Sequence, residues 1–337
     1  MLKINLKDFY KVLFTLFSLL FTGSSAAEFL VDDGYTVQER YDRYVKTEPG
    51  LAYPDPQLAE GMRIYQDRAY AYPNQTTQLN RMLHLDIYQP KLTANQTAPG
   101  VMLIHGGGWR SGNKSHMFAL ANELVKRGYI VFTPEYRLST EAQFPAGLVD
   151  LNNAILWIKA NAKQYQLDIN KLAIGGGSSG GHMAALLGFS GSTGHFIDAS
   201  NPLQKTFNTK VNAIIDMDGV VGLTTPEALE YENKKGKNSA MGLWLGASYQ
   251  DDKKLWEQAS PLLYINEHSP ALLFISSGQM RFAAGYQQAK AKLEVLNIAT
   301  EFYLVQQPQT IHTFWLFEPW LSKTADKIDL FLKKAFN

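Results

Sequence analysis

The chain has 337 residues, 45% of them apolar, a formal net charge of +1 and no cysteine. That apolar share supports a large buried core, and the near-neutral balance argues against general electrostatic attraction to nucleic acid or anionic membranes. Without cysteine, disulfides, thiol nucleophiles, a lipoprotein anchor and Cys-containing zinc sites are excluded, and the seven histidines show no HExxH-type metal spacing.

Taken in chain order, Lys3, Lys7 and Lys11 form a basic start. Residues 12–21 form an apolar run too short for a comfortable membrane span, and Ser25-Ala26-Ala27 offers a small-residue cleavage site. Residues 1–27 therefore read as a secretory signal peptide, with export to the periplasm or medium and no stable membrane anchor expected. Residues 28–60, with Tyr53-Pro54-Asp55-Pro56, read as an irregular arm, and residues 61–337 as the main domain. Residues 62–71 and 82–89 read as two strands of a hairpin turning at Tyr72-Pro73-Asn74-Gln75. From about residue 100, strand and helix patterns alternate as a parallel sheet requires, with helices over 115–126 and 146–163.

The strand 101–104 runs into His105-Gly106-Gly107-Gly108-Trp109. Glycines there let main-chain N–H groups face a cavity without obstruction, as an oxyanion loop requires, with His105 bracing it. The strand 171–174 runs into Gly175-Gly176-Gly177-Ser178-Ser179-Gly180-Gly181-His182, followed by a helical pattern. A serine among small residues between strand and helix is the nucleophile-elbow pattern, although a glycine-rich turn also suits phosphate binding or simple turning. Ser178 and Ser179 both fit the frame. Ser178 is favoured because it leaves Gly180 and Gly181 on the first helical turn, and His182 then packs or bonds locally.

Further on, the strand 211–215 leads into Asp216-Met217-Asp218-Gly219, where period-two alternation puts the two carboxylates on one face. Residues 222–264, with Trp244 and Trp256, form a long excursion between core strands 211–215 and 271–275. The strand 301–305 is followed by His312, placed and typed to act as a general base near neutral pH.

These motifs resemble the α/β-hydrolase esterase/lipase group that includes hormone-sensitive-lipase-like and feruloyl-esterase-like enzymes. The resemblance rests on His105 to Trp109, Glu135-Tyr136-Arg137-Leu138, Phe144-Pro145-Ala146, Gly176 to His182 and His312-Thr313-Phe314-Trp315. Its later part is similar to bacterial exported esterases of acetylated plant polysaccharides. It implies a mostly parallel sheet flanked by helices, with the 222–264 excursion as a cap over the active site. It also implies oxyanion donors at Gly107, Gly108 and Ser179, and a serine, acid, histidine chain order. One departure stands out: the usual acid position after strand 271–275 falls near Arg281, which cannot accept an imidazole N–H. Related esterases keep an aspartate at the Asp216 position and an aromatic at the Asp218 position. The unusual Asp218 is therefore the expected acid, with Asp216 as the alternative.

The expected chemistry is acyl transfer through Ser178 with His312 as base, which needs no cofactor. Trp109, Trp244 and Trp315, with Trp320 behind them, are candidates for a sugar-stacking platform, although tryptophan more often fills core. The resemblance points to a small ester substrate, and in particular to O-acetyl groups on xylan, xyloglucan or pectin. A feruloyl esterase, a general short-chain carboxylesterase and an aminopeptidase are the same-fold alternatives. A non-catalytic glycan-binding scaffold is the alternative of another class.

Overall fold

Period-two alternation within the strands sends side chains to both faces of one sheet, and both faces are covered. In β3 (Ala98–Ile104), Met102 and Ile104 point into one apolar layer, Val101 and Leu103 into the other. The same division holds in β7 (Ala271–Ser276), where Leu272 and Phe274 oppose Leu273 and Ile275. Burial on both faces explains why these strands read as short continuous apolar runs rather than as alternating ones.

The computed structural model describes residues 35–71, 81–307 and 309–337. The expected signal peptide and the expected turn at residues 72–75 lie outside them. Eight strands run β1 (Arg63–Ala71), β2 (Leu83–Gln89), β3, β4 (Ile130–Pro134), β5 (Leu167–Gly177), β6 (Ala213–Met217), β7 and β8 (Thr300–Leu304). Their order across the sheet is β1-β2-β4-β3-β5-β6-β7-β8. β1 pairs antiparallel with β2 and β2 antiparallel with β4, while every pairing from β4 to β8 is parallel. This is the mostly parallel sheet that the resemblance implied.

One face carries α3 (Ala146–Ala160), α4 (Ser179–Ser190) and α8 (Tyr286–Val295), packed through residues such as Leu151, Leu186 and Leu293. The other carries α2 (Phe118–Lys126) and α9 (Trp320–Ala335), packed through Leu124, Ile328 and Phe331. Several elements differ from their expected bounds. β5 starts earlier, at Leu167, and α3 stops at Ala160, where Asn161 closes the helix.

The arm is not wholly irregular. It contains α1 (Val37–Tyr44), whose N-cap Thr36 accepts a hydrogen bond from the Glu39 N–H at 3.0 Å. Tyr41 of α1 stacks on Tyr53 with centroids 4.2 Å apart, and both rings meet Phe317. The helix buries no side chain completely, but Val37, Tyr41 and Tyr44, at helical spacing on one face, pack partly buried against the second apolar layer. The 222–264 excursion folds into α5 (Pro226–Glu232), α6 (Ala240–Leu245) and α7 (Lys253–Gln258), joined by tight turns. No helix among the described residues is long and apolar enough to cross a membrane.

Candidate active site

β5 ends at Gly177 and α4 begins at Ser179, so Ser178 alone makes the turn. Its backbone takes φ 57° and ψ −125°, a conformation that costs a non-glycine residue on the order of 1–3 kcal/mol. Two main-chain bonds hold it there. The Ser178 N–H donates to the Met217 carbonyl at 2.8 Å, and the His182 N–H donates to the Ser178 carbonyl at 3.0 Å. The flanking glycines are required by close approach. A Cβ on Gly180 would lie 2.2 Å from the Ile104 carbonyl oxygen, and one on Gly177 would lie 2.3 Å from the Trp315 ring.

The strained turn aims the Ser178 hydroxyl at His312, to whose Nε2 it donates at 2.9 Å. The His312 Nδ1–H donates to Asp218 Oδ2, also at 2.9 Å. Asp218 is fully desolvated, and its second oxygen accepts the Ser277 N–H at 2.8 Å. The imidazole is held on its faces and edge as well. Phe282 stacks on it at 3.5 Å with an 8° tilt, and Trp315 meets it edge-on at 5.5 Å. Ser179 is buried at the first position of α4, so the structure brings Ser178, not Ser179, to the histidine.

The two aspartates occupy different environments. Asp216 lies within β6 and is wholly buried; its Oδ1 accepts the Gly219 N–H at 2.6 Å, while Oδ2 has no partner. Burial pushes its carboxyl well above the usual carboxylate range, and the nearby Asp218 charge adds to that rise. Asp218 sits one residue past β6 at φ 55°, where strand alternation has ended. That left-handed backbone, tied by the Asp218 N–H to the Ile275 carbonyl at 2.9 Å, turns the carboxylate toward His312. The shared-face expectation is therefore corrected: the two carboxyls diverge, and only Asp218 contacts the imidazole.

The His105–Trp109 loop crosses directly over the elbow, since a Cβ on Gly106 would lie 3.2 Å from Ser178 Cβ. Gly107 has φ 130° and lies so close to the Ser111 carbonyl that a Cβ would sit 2.1 Å away. His105 braces the loop. It stacks on Tyr136 at 4.4 Å, and the Tyr136 hydroxyl donates to the His105 carbonyl at 3.0 Å. Burial pushes the His105 imidazole down to about 3, which keeps it neutral. Gly107 and Gly108 line one cavity beside Ser178, while Gly108 and Ser179 line a second.

The second cavity is walled by the 222–264 excursion through Ala228, Tyr231, Glu232, Ala240 and Met241, with Trp109 opposite. Trp109 donates from Nε1 to His182 Nδ1 at 3.3 Å, and His182 Nε2–H donates to the Ala259 carbonyl at 2.9 Å. Trp109 thus keeps a cavity-facing position. The expected roles of Trp244 and Trp315 in substrate binding are corrected. Trp244 is buried beneath Trp109, stacked at 5.0 Å, and Trp315 is 1% exposed behind Gly177. Trp320 is also in the core, donating to Gln306 Oε1 at 2.9 Å. Each fills space that only a large apolar ring fills, which sequence alone cannot separate from a stacking role.

Arg281, at the usual acid position, pairs with neither Asp216 nor Asp218. Its guanidinium lies over the Phe282 ring at 4.8 Å and the Tyr231 ring at 5.4 Å. Ser277 shapes the site but carries no sequence signal beyond following β7; Arg281 and Phe282 belong to the residues that carry the resemblance, and Arg281 was also marked by standing where an acid was expected, but no site role was read for Phe282. Among the described residues, no group of three or more His, Asp or Glu is placed to hold a metal ion.

The chain is similar to the probable carboxylic ester hydrolase LipM of Mycobacterium tuberculosis, at 28% identity over 290 residues, 82% of this chain and 63% of LipM. It is 28% identical to the esterase LipQ of the same organism over 235 residues, 68% of this chain and 54% of LipQ. The chain thus spans less than two thirds of the length of these relatives. Among solved structures, a truncated carbohydrate esterase from gut microbiota superposes with a TM-score of 0.66 at 20% identity, covering 85% of this chain and 99% of that one. A thermophilic esterase, Est2 of Thermogutta terrifontis, gives 0.64 at 19% identity, covering 84% and 95%. Both share the α/β-hydrolase fold. The BD-FAE family profile matches residues 85–293, a stretch that includes the oxyanion loop, the elbow and Asp218, and on that match the chain belongs to the BD-FAE family.

Proposed function

We propose that the chain is an exported serine esterase that removes short acyl groups, acetyl above all, from carbohydrate. The observation that carries the esterase reading is the unbroken relay from Asp218 through His312 to Ser178, with both links at 2.9 Å. LipM and LipQ, named as an ester hydrolase and an esterase, support it.

In this reading the Ser178 oxygen attacks the ester carbonyl carbon while His312 Nε2 takes the hydroxyl proton. Asp218 accepts the Nδ1–H throughout, holding the tautomer and balancing the imidazolium. The N–H groups of Gly107, Gly108 and Ser179 receive the oxyanion. When the carbon–oxygen ester bond breaks, the alcohol leaves with the proton from His312. Water, deprotonated by the same nitrogen, then attacks the acyl-enzyme and releases the acid and free Ser178.

Short acyl groups suit the cavity bounded by Trp109, Val220, Ala228 and Met241, which is the smaller of the two at about 70 Å³ against about 240 Å³. The carbohydrate part and the exported location rest on the resemblance and on the sequence of residues 1–27. The test is hydrolysis of p-nitrophenyl acetate, butyrate and octanoate by the wild type, Ser178→Ala and Ser179→Ala. Acetate preference, with loss only in Ser178→Ala, is expected. Inactivity of the wild type on every ester would overturn the reading in favour of a glycan-binding scaffold.

A further inference from the structure

Two hydrogen bonds hold His312 by its ring nitrogens, Nδ1 to Asp218 and Nε2 to Ser178, each at 2.9 Å. Such bonds lie near the ring plane, so they fix the imidazole along one line and leave its tilt about that line to packing. Phe282 supplies that packing, stacked on the imidazole with centroids 3.5 Å apart and planes 8° apart.

Phe282 is held in turn. The Arg281 guanidinium lies over its ring, 4.8 Å from the centroid, and the same guanidinium lies over Tyr231 at 5.4 Å. Tyr231 belongs to α5 of the 222–264 excursion, and a cation over an aromatic face is attracted by the ring quadrupole. His312, Phe282, Arg281 and Tyr231 thus form one chain of face contacts from the imidazole to the excursion. The main chain follows the same path. α5 packs on the helical turn Met280–Ala283 that carries Arg281 and Phe282. Just past that turn, the Ala284 carbonyl accepts the Val221 and Gly222 N–H groups at 2.9 and 3.1 Å. Just before it, Gln279 Nε2 donates to the Thr310 carbonyl at 2.9 Å, close to His312 in the chain. The segment after β7 therefore bridges the excursion and the histidine loop.

The Ser178 bond does not last through the reaction. Once Ser178 is acylated its oxygen carries no proton, and His312 must meet water at Nε2 with only the Asp218 bond and the packing of its ring to hold it. An imidazole that tilts at this stage takes Nε2 away from the attacking water, and misplacement of a reacting group is costly. The stack is therefore needed most in deacylation.

We propose that Phe282 is a positioning residue for His312 and that Arg281 and Tyr231 act through it, together keeping the imidazole in place while the acyl-enzyme is hydrolysed. The proposal rests on the esterase reading above and assigns these residues to its second half. Arg281, at the usual acid position, serves the histidine through an aromatic ring rather than as an acceptor.

The experiment measures p-nitrophenyl acetate kinetics in wild type, Phe282→Leu, Phe282→Tyr, Arg281→Gln, Arg281→Lys and Tyr231→Leu, with the acetyl-enzyme fraction read by intact mass after acid quenching. Phe282→Leu keeps apolar bulk but loses the flat face. It is expected to lower kcat on the order of tenfold and KM with it, to leave kcat/KM in place, and to accumulate acetyl-enzyme. Phe282→Tyr is expected to restore all three. Arg281 and Tyr231 are both exposed, so their variants leave the core intact. Arg281→Gln and Tyr231→Leu are each expected to lower kcat about two- to fivefold, the worth of one exposed cation–π contact, and together no more than singly. Arg281→Lys is expected to recover most of that loss. The Nδ1–H proton resonance of His312 reads the ring without turnover. In Ser178→Ala, which lacks the serine donor as the acyl-enzyme does, it is expected to stay sharp, and to broaden in Ser178→Ala/Phe282→Leu. Equal losses of kcat and kcat/KM without acetyl-enzyme overturn the proposal, as does a resonance that Phe282→Leu leaves unchanged. A wild type inactive on every ester, with the resonance contrast present, would sink the esterase reading and leave the hold of the stack on the imidazole standing.

Discussion

At the scale of single residues, the two neighbouring aspartates make opposite predictions. Asp218 is an acceptor on both oxygens, taking the Nδ1–H of His312 and the N–H of Ser277. Asp218→Asn keeps the shape but offers an amide where an acceptor is required, and kcat is expected to fall about 10⁴-fold with little change in thermal midpoint. Burial pushes the Asp216 carboxyl well above the usual carboxylate range, which favours its neutral form, and only its Oδ1 is engaged, by the Gly219 N–H. An asparagine reproduces that acceptor without a charge to lose, so Asp216→Asn is expected to retain most of the activity. Asp216→Ala removes the acceptor and is expected to cost about 1–3 kcal/mol in urea unfolding. A large kcat loss in Asp216→Asn would show the assignment to be reversed.

At the scale of elements, the loop carrying His312 and the end of β5 are wedged together by Trp315, whose ring occupies the space a Cβ on Gly177 would need. Trp315→Ala opens a void behind the elbow and is expected to cost about 3–5 kcal/mol in unfolding free energy. A residue that stacked on sugar would instead raise KM and leave stability alone, so the two measurements separate the roles. The elbow and His312 were legible because their chemistry is local: small residues between a strand and a helix, and a histidine after the last strand. Asp218 was legible by the same logic with one more step, as a carboxylate at a strand end in a chain whose usual acid position holds Arg281. The tryptophans were not, because residue type does not say which face of the sheet will be covered. α1 was read as part of an irregular arm although Thr36 and Glu39 stand at helix-start spacing and Val37, Tyr41 and Tyr44 at helical spacing; its eight residues are a short signal in a segment rich in turn formers.

At the scale of the whole molecule, stability should fall in acid. His105, His116 and His182 are pushed down to about 3, 4 and 4, burial being the first cause in each. Between pH 6.5 and 4 the unfolded chain binds protons that these folded imidazoles refuse. Unfolding free energy should therefore rise with pH across that window, by about 1.4 kcal/mol per unit for each histidine. Asp216, raised by burial, works in the opposite sense as pH climbs above the ordinary carboxylate range, so the net slope is smaller. Urea titrations at pH 4.5 and 7 would read it, and a slope of zero or below would contradict the neutral assignment of the histidines. A last consequence follows from the backbone of Ser178, held at φ 57° by the fold around it. Glycine adopts that conformation freely, so Ser178→Gly should unfold at higher denaturant than the wild type while losing all turnover. Catalysis and robustness are then in direct competition at one position. Selection for thermal endurance alone would be expected to extinguish the activity there first.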